Sequence, residues 1–153
     1  MVDSLAFGFQ LSRFYLRIGV IMAEQFNWSG YLHLAEELGK RSDEASLRIA
    51  LSRAYYYVYH LAPERAEAND FRPISGGTHT QLWQFFDGSP EPACKKLAIL
   101  ARRLKDKRVR ADYNKNFNRI AEEVPEILED ARSFAAQLDR VDARHPNQRS
   151  LRR

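Results

Sequence analysis

Apolar residues recur every three or four positions along most of this chain, a spacing typical of helices with one buried face. The pattern covers 27–142 and is interrupted only by short stretches rich in glycine, proline and polar residues. No segment alternates apolar and polar residues well enough to predict a strand. We therefore expect an all-α protein, with helices at about 27–38, 43–69 and 78–86 and two longer ones around 97–111 and 117–141.

The ends of two predicted helices carry recognisable signals. Ser42 or Asp43 is a suitable cap for the second helix. Pro63 falls inside that helix and predicts a kink or an early stop. Pro125 falls inside the last one, which predicts either a start near Val124 or a kink in a longer helix.

The second predicted helix carries two different faces. Its core stripe consists of leucine, alanine and valine residues, namely Leu47, Leu51, Ala54, Val58, Leu61 and Ala62. The other flank is rich in tyrosine and contains Ser46, Ile49, Arg53, Tyr56, Tyr57 and His60. A helix with this composition on both sides is expected to be buried on both. A second copy of the chain is the expected cover for the tyrosine flank, and a neighbouring helix of the same chain is the alternative.

Arg53 and His60 are separated by two helical turns, so both side chains leave the helix on nearly the same side. A guanidinium can hold a phosphate with two hydrogen bonds, and an imidazole can exchange protons near neutral pH. This pair is therefore a candidate site for phosphodiester chemistry. The alternative is an arginine paired with a carboxylate and a histidine packed among tyrosines.

The fourth predicted helix brings Arg108 onto its apolar face, with Asp112 one turn later. Opposite charges at this spacing predict an ion pair. The pair is expected to be structural, with the orientation of a functional arginine as the alternative.

Composition and charge limit the function classes. The chain has 153 residues, which fits one domain at 27–142, preceded by an extension at 1–26 and followed by a basic tail at 143–153 that we expect to be disordered. The net charge of +4 favours anionic partners, RNA above all, although charged runs also occur on ordinary solvated helices. Much of the positive charge lies in one run: Lys95, Lys96, Arg102, Arg103, Lys105, Lys107, Arg108 and Arg110.

The cysteine and histidine residues predict no metal site and no cofactor. Cys94 is the single cysteine, which suits a reducing cytoplasm, and the four histidines show no metal-ligand spacing. The apolar stretch at 5–21 is interrupted by Arg13 and Arg17, so we expect no membrane segment.

Two separated motifs resemble the HEPN family, in its compact bacterial and archaeal branch. The first runs from Ala45 to His60 and contains Ser52-Arg53-Ala54-Tyr55-Tyr56, and the second reads Arg108-Val109-Arg110-Ala111-Asp112-Tyr113. The resemblance covers 27–142 and implies an up-and-down bundle of four to five helices that forms a homodimer. It also implies an Arg-x4-6-His ribonuclease site, onto which Arg53 and His60 map.

The resemblance implies two competing functions. The first is a metal-independent endoribonuclease of a toxin–antitoxin or defence system, with the Arg53–His60 pairs of two subunits facing one groove. The second is a non-catalytic module that binds RNA or a nucleotide, or docks on a small nucleotidyltransferase antitoxin. Active members usually carry a polar residue where this chain has Ala54, and a non-catalytic member would show the same sequence. Tyr56 or Tyr57 could stack on a base or hold the imidazole, and Ser46 is a weaker candidate.

Overall fold

The computed structural model of the chain describes residues 25–147, and within this range it consists of helices joined by short loops. The helices are α1 (Ser29–Gly39), α2 (Glu44–Glu67), α3 (Thr78–Asp87), α4 (Pro92–Tyr113) and α5 (Ile120–Arg140). The predicted all-α bundle is confirmed. None of these helices is long and apolar enough to cross a bilayer. Most of the predicted extension, at 1–24, lies outside the range described.

Helix α2 is the central element, because it packs against each of the four other helices. Its stripe of leucine, alanine and valine lies in the core, where Leu51, Ala54 and Val58 have no exposed surface. Tyr55 belongs to the same buried face. A helix enclosed in this way has few positions where a polar side chain can reach solvent, and they include Arg53 and His60.

Asp43 starts α2, as one of the two predicted caps. Its Oδ1 accepts a hydrogen bond from the backbone N–H of Ser46 at 2.9 Å, which satisfies one of the free N–H groups of the first turn.

Both prolines of the helical pattern lie inside helices. Helix α2 passes through Pro63 and continues to Glu67, so of the predicted kink or early stop, the early stop is wrong. Ala62 and Ala66 are fully buried on either side of the proline, so the helix continues within the packed core although proline in a helix costs about 3 kcal/mol. Helix α5 starts before Pro125, which corresponds to the longer of the two predicted helices.

Two arginines of α2 bind the carboxyl ends of neighbouring helices. Arg48 Nη1 donates hydrogen bonds to the carbonyl oxygens of Ala111 at 2.6 Å and Asn114 at 2.8 Å, at the end of α4. Arg65 Nη1 donates to the carbonyl oxygen of Val141 at 2.8 Å, just after α5. Cations are favourable there because the last carbonyls of a helix carry partial negative charge and lack partners within the helix.

Residues 143–147, which we predicted to belong to the tail, pack back against the end of α2. Asn69 Nδ2 donates to the carbonyl oxygen of Ala143 at 3.0 Å, and Pro146 is fully buried. The rest of the predicted tail, at 148–153, lies outside the described residues.

Candidate functional site

Arg53 is a half-buried cation whose contacts are aromatic rings. Its Cζ lies 4.9 Å from the ring centroid of Tyr31 and 5.2 Å from that of Tyr56. Its Nε is buried and has no hydrogen-bond partner within 25–147. Buried polar groups are nearly always hydrogen-bonded, so an N–H left without an acceptor on a cation marks a position suited to an anionic ligand.

His60 packs between aromatic rings contributed by α1 and α2. Its ring stacks on Trp28 with centroids 3.4 Å apart and planes 4° from parallel. Tyr31 approaches it edge-on at 6.2 Å, and Tyr56 lies at 6.3 Å. Burial lowers the pKa of His60, because removal from water disfavours the imidazolium. Arg53 and His60 thus share Tyr31 and Tyr56 as neighbours, in agreement with the two-turn spacing.

The flank of α2 that carries Arg53 and His60 is covered from within the same chain. Trp28 and Tyr31 come from the start of α1, and Arg108 reaches Tyr56 from α4. This part of the tyrosine flank is therefore covered by neighbouring helices of the same chain, which is the predicted alternative to cover by a second copy. Ile49, one turn before Arg53, is 48% exposed.

The two sequence motifs meet at Tyr56. Arg108 Nη2 donates a hydrogen bond to the hydroxyl of Tyr56 at 2.5 Å, and its Nε lies 2.8 Å from Asp112 Oδ2. Ser52 Oγ, on α2, lies 3.5 Å from the same carboxylate oxygen. The predicted Arg108–Asp112 ion pair is present, and it connects α4 to the segment of α2 that carries Arg53.

Tyr57 and Ser46 are not part of this group of side chains. Tyr57 is 8% exposed and belongs to the core. Its pKa is raised first by burial and then by the charges of Asp139 and Glu36, which belong to α5 and α1. Ser46 is buried in the first turn of α2, where its backbone N–H binds Asp43. Both residues act in packing and helix capping.

Sequence reasoning missed His79, which α3 brings beside α2. Its ring stacks on Tyr59 with centroids 3.8 Å apart, and the ring of Tyr59 also lies edge-on to His60 with centroids 5.2 Å apart. Its Nδ1 is hydrogen-bonded to the hydroxyl of Tyr55 at 2.6 Å. Tyr59 could have been found because it lies one turn after Tyr55, whereas no local signal connects His79 to α2.

We call the whole group the Arg53–His60 cluster, and it consists of Trp28, Tyr31, Arg53, Tyr56, Tyr59, His60, His79 and Arg108.

Positive charge surrounds this cluster. The pKa of His79 is lowered by burial first and then by Lys105, Arg108 and His60. Lys105 is held near α3 by a 3.0 Å hydrogen bond from its Nζ to Thr80 Oγ1. An anion that entered the cluster would meet several cations and one paired carboxylate, Asp112.

The rest of the basic run on α4 is largely neutralised. Arg102 pairs with Asp87 at 3.1 Å, Arg103 with Glu126 and Asp130, and Lys107 with Glu123. These carboxylates come from α3 and α5, so the basic residues of α4 form ion pairs that link α4 to its neighbouring helices. The Arg53–His60 cluster is therefore a stronger candidate for anion binding than the charge run.

Within the described range, no group of histidine, cysteine, aspartate and glutamate side chains could hold a metal ion. No family model, curated protein or solved structure matches the chain. The functional argument therefore depends on the geometry of the Arg53–His60 cluster.

Proposed function

We propose that this chain binds single-stranded RNA at the Arg53–His60 cluster and cleaves it without a metal ion. The observation that carries the proposal is the state of Arg53, a half-buried cation between two tyrosine rings whose buried Nε has no acceptor. A phosphate oxygen would supply that acceptor, and its charge would compensate the guanidinium.

RNA supplies both kinds of group that the cluster can bind. Its phosphates suit Arg53 and Arg108, and unpaired bases stack readily on aromatic rings such as Trp28. Duplex RNA keeps its bases stacked inside the helix, so single strands or loops are the expected substrate class.

The reaction would be an intramolecular transesterification. His60 accepts the proton of the ribose 2′-hydroxyl, whose oxygen attacks the adjacent phosphorus. The bond from phosphorus to the 5′-oxygen breaks, which leaves a 2′,3′-cyclic phosphate and a 5′-hydroxyl. Arg53 stabilises the negative charge that develops on the phosphoryl oxygens. The lowered pKa of His60 keeps its imidazole in the neutral form that a base requires.

The departing 5′-oxygen needs a proton. In a symmetric homodimer whose groove joins the partly exposed edges of both Arg53–His60 pairs, His60 of the second subunit would donate it, and that imidazole would have to be protonated against its lowered pKa. Dimerisation is thus part of the proposal, and sedimentation equilibrium of the purified protein tests it directly.

Binding without cleavage is the second candidate function. Trp28 covers one face of the His60 ring in a parallel stack, and Ala54 is fully buried, so neither supplies a polar group to assist the imidazole. In this case the cluster would hold RNA or a nucleotide, and the resemblance to HEPN proteins suggests a nucleotidyltransferase antitoxin as the partner.

The test uses RNA cleavage in EDTA by the wild-type protein, Arg53→Ala and His60→Ala. The exposed His33 of α1 provides a matched control, His33→Ala. Cleavage by the wild type and the control that both cluster variants lose, with unchanged circular dichroism and cyclic phosphate ends, supports the ribonuclease.

Binding to a 2′-O-methyl oligonucleotide, which cannot undergo the reaction, separates the two candidates. Binding that depends on Arg53 without any cleavage of ordinary RNA supports the second function. Neither binding nor cleavage by a folded protein overturns both.

A further inference from the structure

A buried chain of hydrogen bonds connects Trp83, Tyr55 and His79. An indole N–H can only donate, so Trp83 Nε1 donates to the hydroxyl oxygen of Tyr55 at 3.3 Å. Trp83 is 1% exposed and Tyr55 is fully buried, so water does not compete for these groups. The hydroxyl of Tyr55 lies 2.6 Å from His79 Nδ1.

This chain fixes the tautomer of His79. If Nδ1 carried the ring proton and donated to Tyr55, the hydroxyl proton of Tyr55 would be buried without an acceptor, which is unfavourable. The Tyr55 hydroxyl therefore donates to Nδ1, and the neutral ring carries its proton on Nε2. His79 is then a hydrogen-bond donor whose orientation is set by the protein core.

The His79 ring lies near two cations and near His60. His79 stacks on Tyr59, which also contacts His60, and Tyr56 lies 6.2 Å from the ring. Lys105 and Arg108 face it from α4, and with burial they lower its pKa. A neutral donor between these cations would attract a negatively charged acceptor.

We propose that His79 binds a phosphate of the RNA, donating a hydrogen bond from Nε2 to a phosphoryl oxygen, with Tyr55 and Trp83 as positioning residues. The inference rests on the proposed RNA site, because the phosphate is that of a nucleotide held at the same cluster. Tyr59, stacked under the imidazole, keeps the ring plane in place.

Binding of a fluorescent 2′-O-methyl oligonucleotide tests the proposal. His79→Ala removes the donor and should weaken binding about tenfold, as expected for a hydrogen bond to a charged group. His79→Gln retains an amide N–H near the position of Nε2 and should bind within about threefold of the wild type. His33→Ala should bind like the wild type.

The outcomes distinguish this inference from the proposed function. If Arg53→Ala weakens binding while His79→Ala does not, only the inference is overturned. If His79→Gln binds as weakly as His79→Ala, His79 acts through packing and the donor role is overturned. No binding by the wild-type protein overturns both.

The tautomer can be observed without RNA. Long-range ¹H–¹⁵N correlation spectra of the histidine rings should show the proton of neutral His79 on Nε2, and a proton on Nδ1 would overturn the proposal. Circular dichroism and thermal melting of each variant show whether the fold is retained.

Discussion

The three arginines of α2 have two different kinds of environment, although they lie on one helix. Arg48 and Arg65, towards its two ends, bind backbone carbonyls at the ends of α4 and α5. Arg48 also pairs with Glu44 at 2.7 Å. Arg53 lies between them, with tyrosine rings as neighbours and a buried Nε that lacks an acceptor.

The difference separates stability from function. Hydrogen bonds from a charged donor stabilise a fold by about 1.5–3 kcal/mol, so Arg48 and Arg65 are expected to hold the bundle together. An unsatisfied buried donor destabilises the fold, and proteins retain such groups mainly at functional sites. The middle of α2 therefore carries a buried donor that a ligand could satisfy, whereas the arginines towards its ends make their hydrogen bonds within the fold.

The largest expected effect is that substitution of Arg53 lowers RNA cleavage without lowering stability, whereas substitution of Arg48 lowers stability without lowering cleavage. In Arg53→Met, RNA cleavage should fall about 100-fold or more, because charge stabilisation of the reacting phosphate is lost. Its free energy of unfolding should change by no more than about 0.5 kcal/mol, because lost cation–π contacts offset the removal of an unsatisfied donor.

Arg48→Met should show the reverse, with a loss of about 2–3 kcal/mol of stability from broken charged hydrogen bonds. Its cleavage rate under folding conditions should match that of the wild type. Urea denaturation and RNA cleavage measure both quantities. Equal destabilisation by the two substitutions would mean that Arg53 is another structural arginine.

A smaller effect on RNA affinity is expected when Arg108, which also lies against Tyr56, loses its ion pair with Asp112. Asp112→Asn removes the carboxylate that pairs with Arg108, so the affinity for RNA should rise about threefold at low salt and depend more steeply on salt. Stability should fall by about 1 kcal/mol, because the pair is only partly buried.

Glu44→Gln is the matched control for this change in charge. It also breaks an ion pair at the same helical spacing, with Arg48, which is not part of the Arg53–His60 cluster and is also bound to the carbonyl oxygens of Ala111 and Asn114. Fluorescence anisotropy at two salt concentrations compares the variants. An equal gain of affinity in both would assign the effect to net charge, and Arg108 would have no special part in it.

Some of this site follows from local sequence, and some does not. Helical phase is enough to bring Arg53 and His60 to one side of α2, and the i,i+4 spacing is enough to pair Arg108 with Asp112. Phase did not distinguish Tyr56 from Tyr57, because both lie on the flank of Arg53. Which of them becomes core depends on how α1 and α5 pack, and that is tertiary information.

His79 shows the same limit more clearly. It lies on a different helix, and its role depends on a hydrogen bond to Tyr55 that forms only when α3 packs against α2. The passage of α2 through Pro63 is likewise a tertiary effect, since the packing of α2 against the four other helices outweighs a local helix-breaking signal.

The cluster should also make stability depend on pH, which the arginine contacts at the helix ends should not. Burial lowers the pKa of His60 and His79 below the value of 6.5 that applies to the unfolded chain. Between 6.5 and the lowered folded pKa, the unfolded chain binds more protons, so stability is complete above pH 6.5 and falls as pH decreases through this window.

Urea denaturation at several pH values from 7.5 to 5 measures this dependence. The decrease should be smaller in His60→Gln and in His79→Gln than in the wild type, because each removes one of the two groups. His33→Gln controls for the loss of a histidine. A steeper decrease in either cluster variant would contradict the assigned direction of the pKa shifts.

The smallest expected effect lies at the scaffold end of α2, where Asn69 links the helix to 143–147. Asn69 Nδ2 donates to the carbonyl oxygens of Arg65 at 2.9 Å and Ala143 at 3.0 Å. Asn69→Ala should therefore reduce stability by about 0.5–1 kcal/mol and accelerate amide hydrogen exchange within 143–147, because neutral, partly exposed hydrogen bonds contribute little. RNA cleavage should be unchanged, since the Arg53–His60 cluster is made by other parts of α2 together with α1, α3 and α4. A loss of cleavage in this variant, with the fold retained, would show that the scaffold end and the middle of α2 are coupled, and the separation of stability from function along this helix would fail.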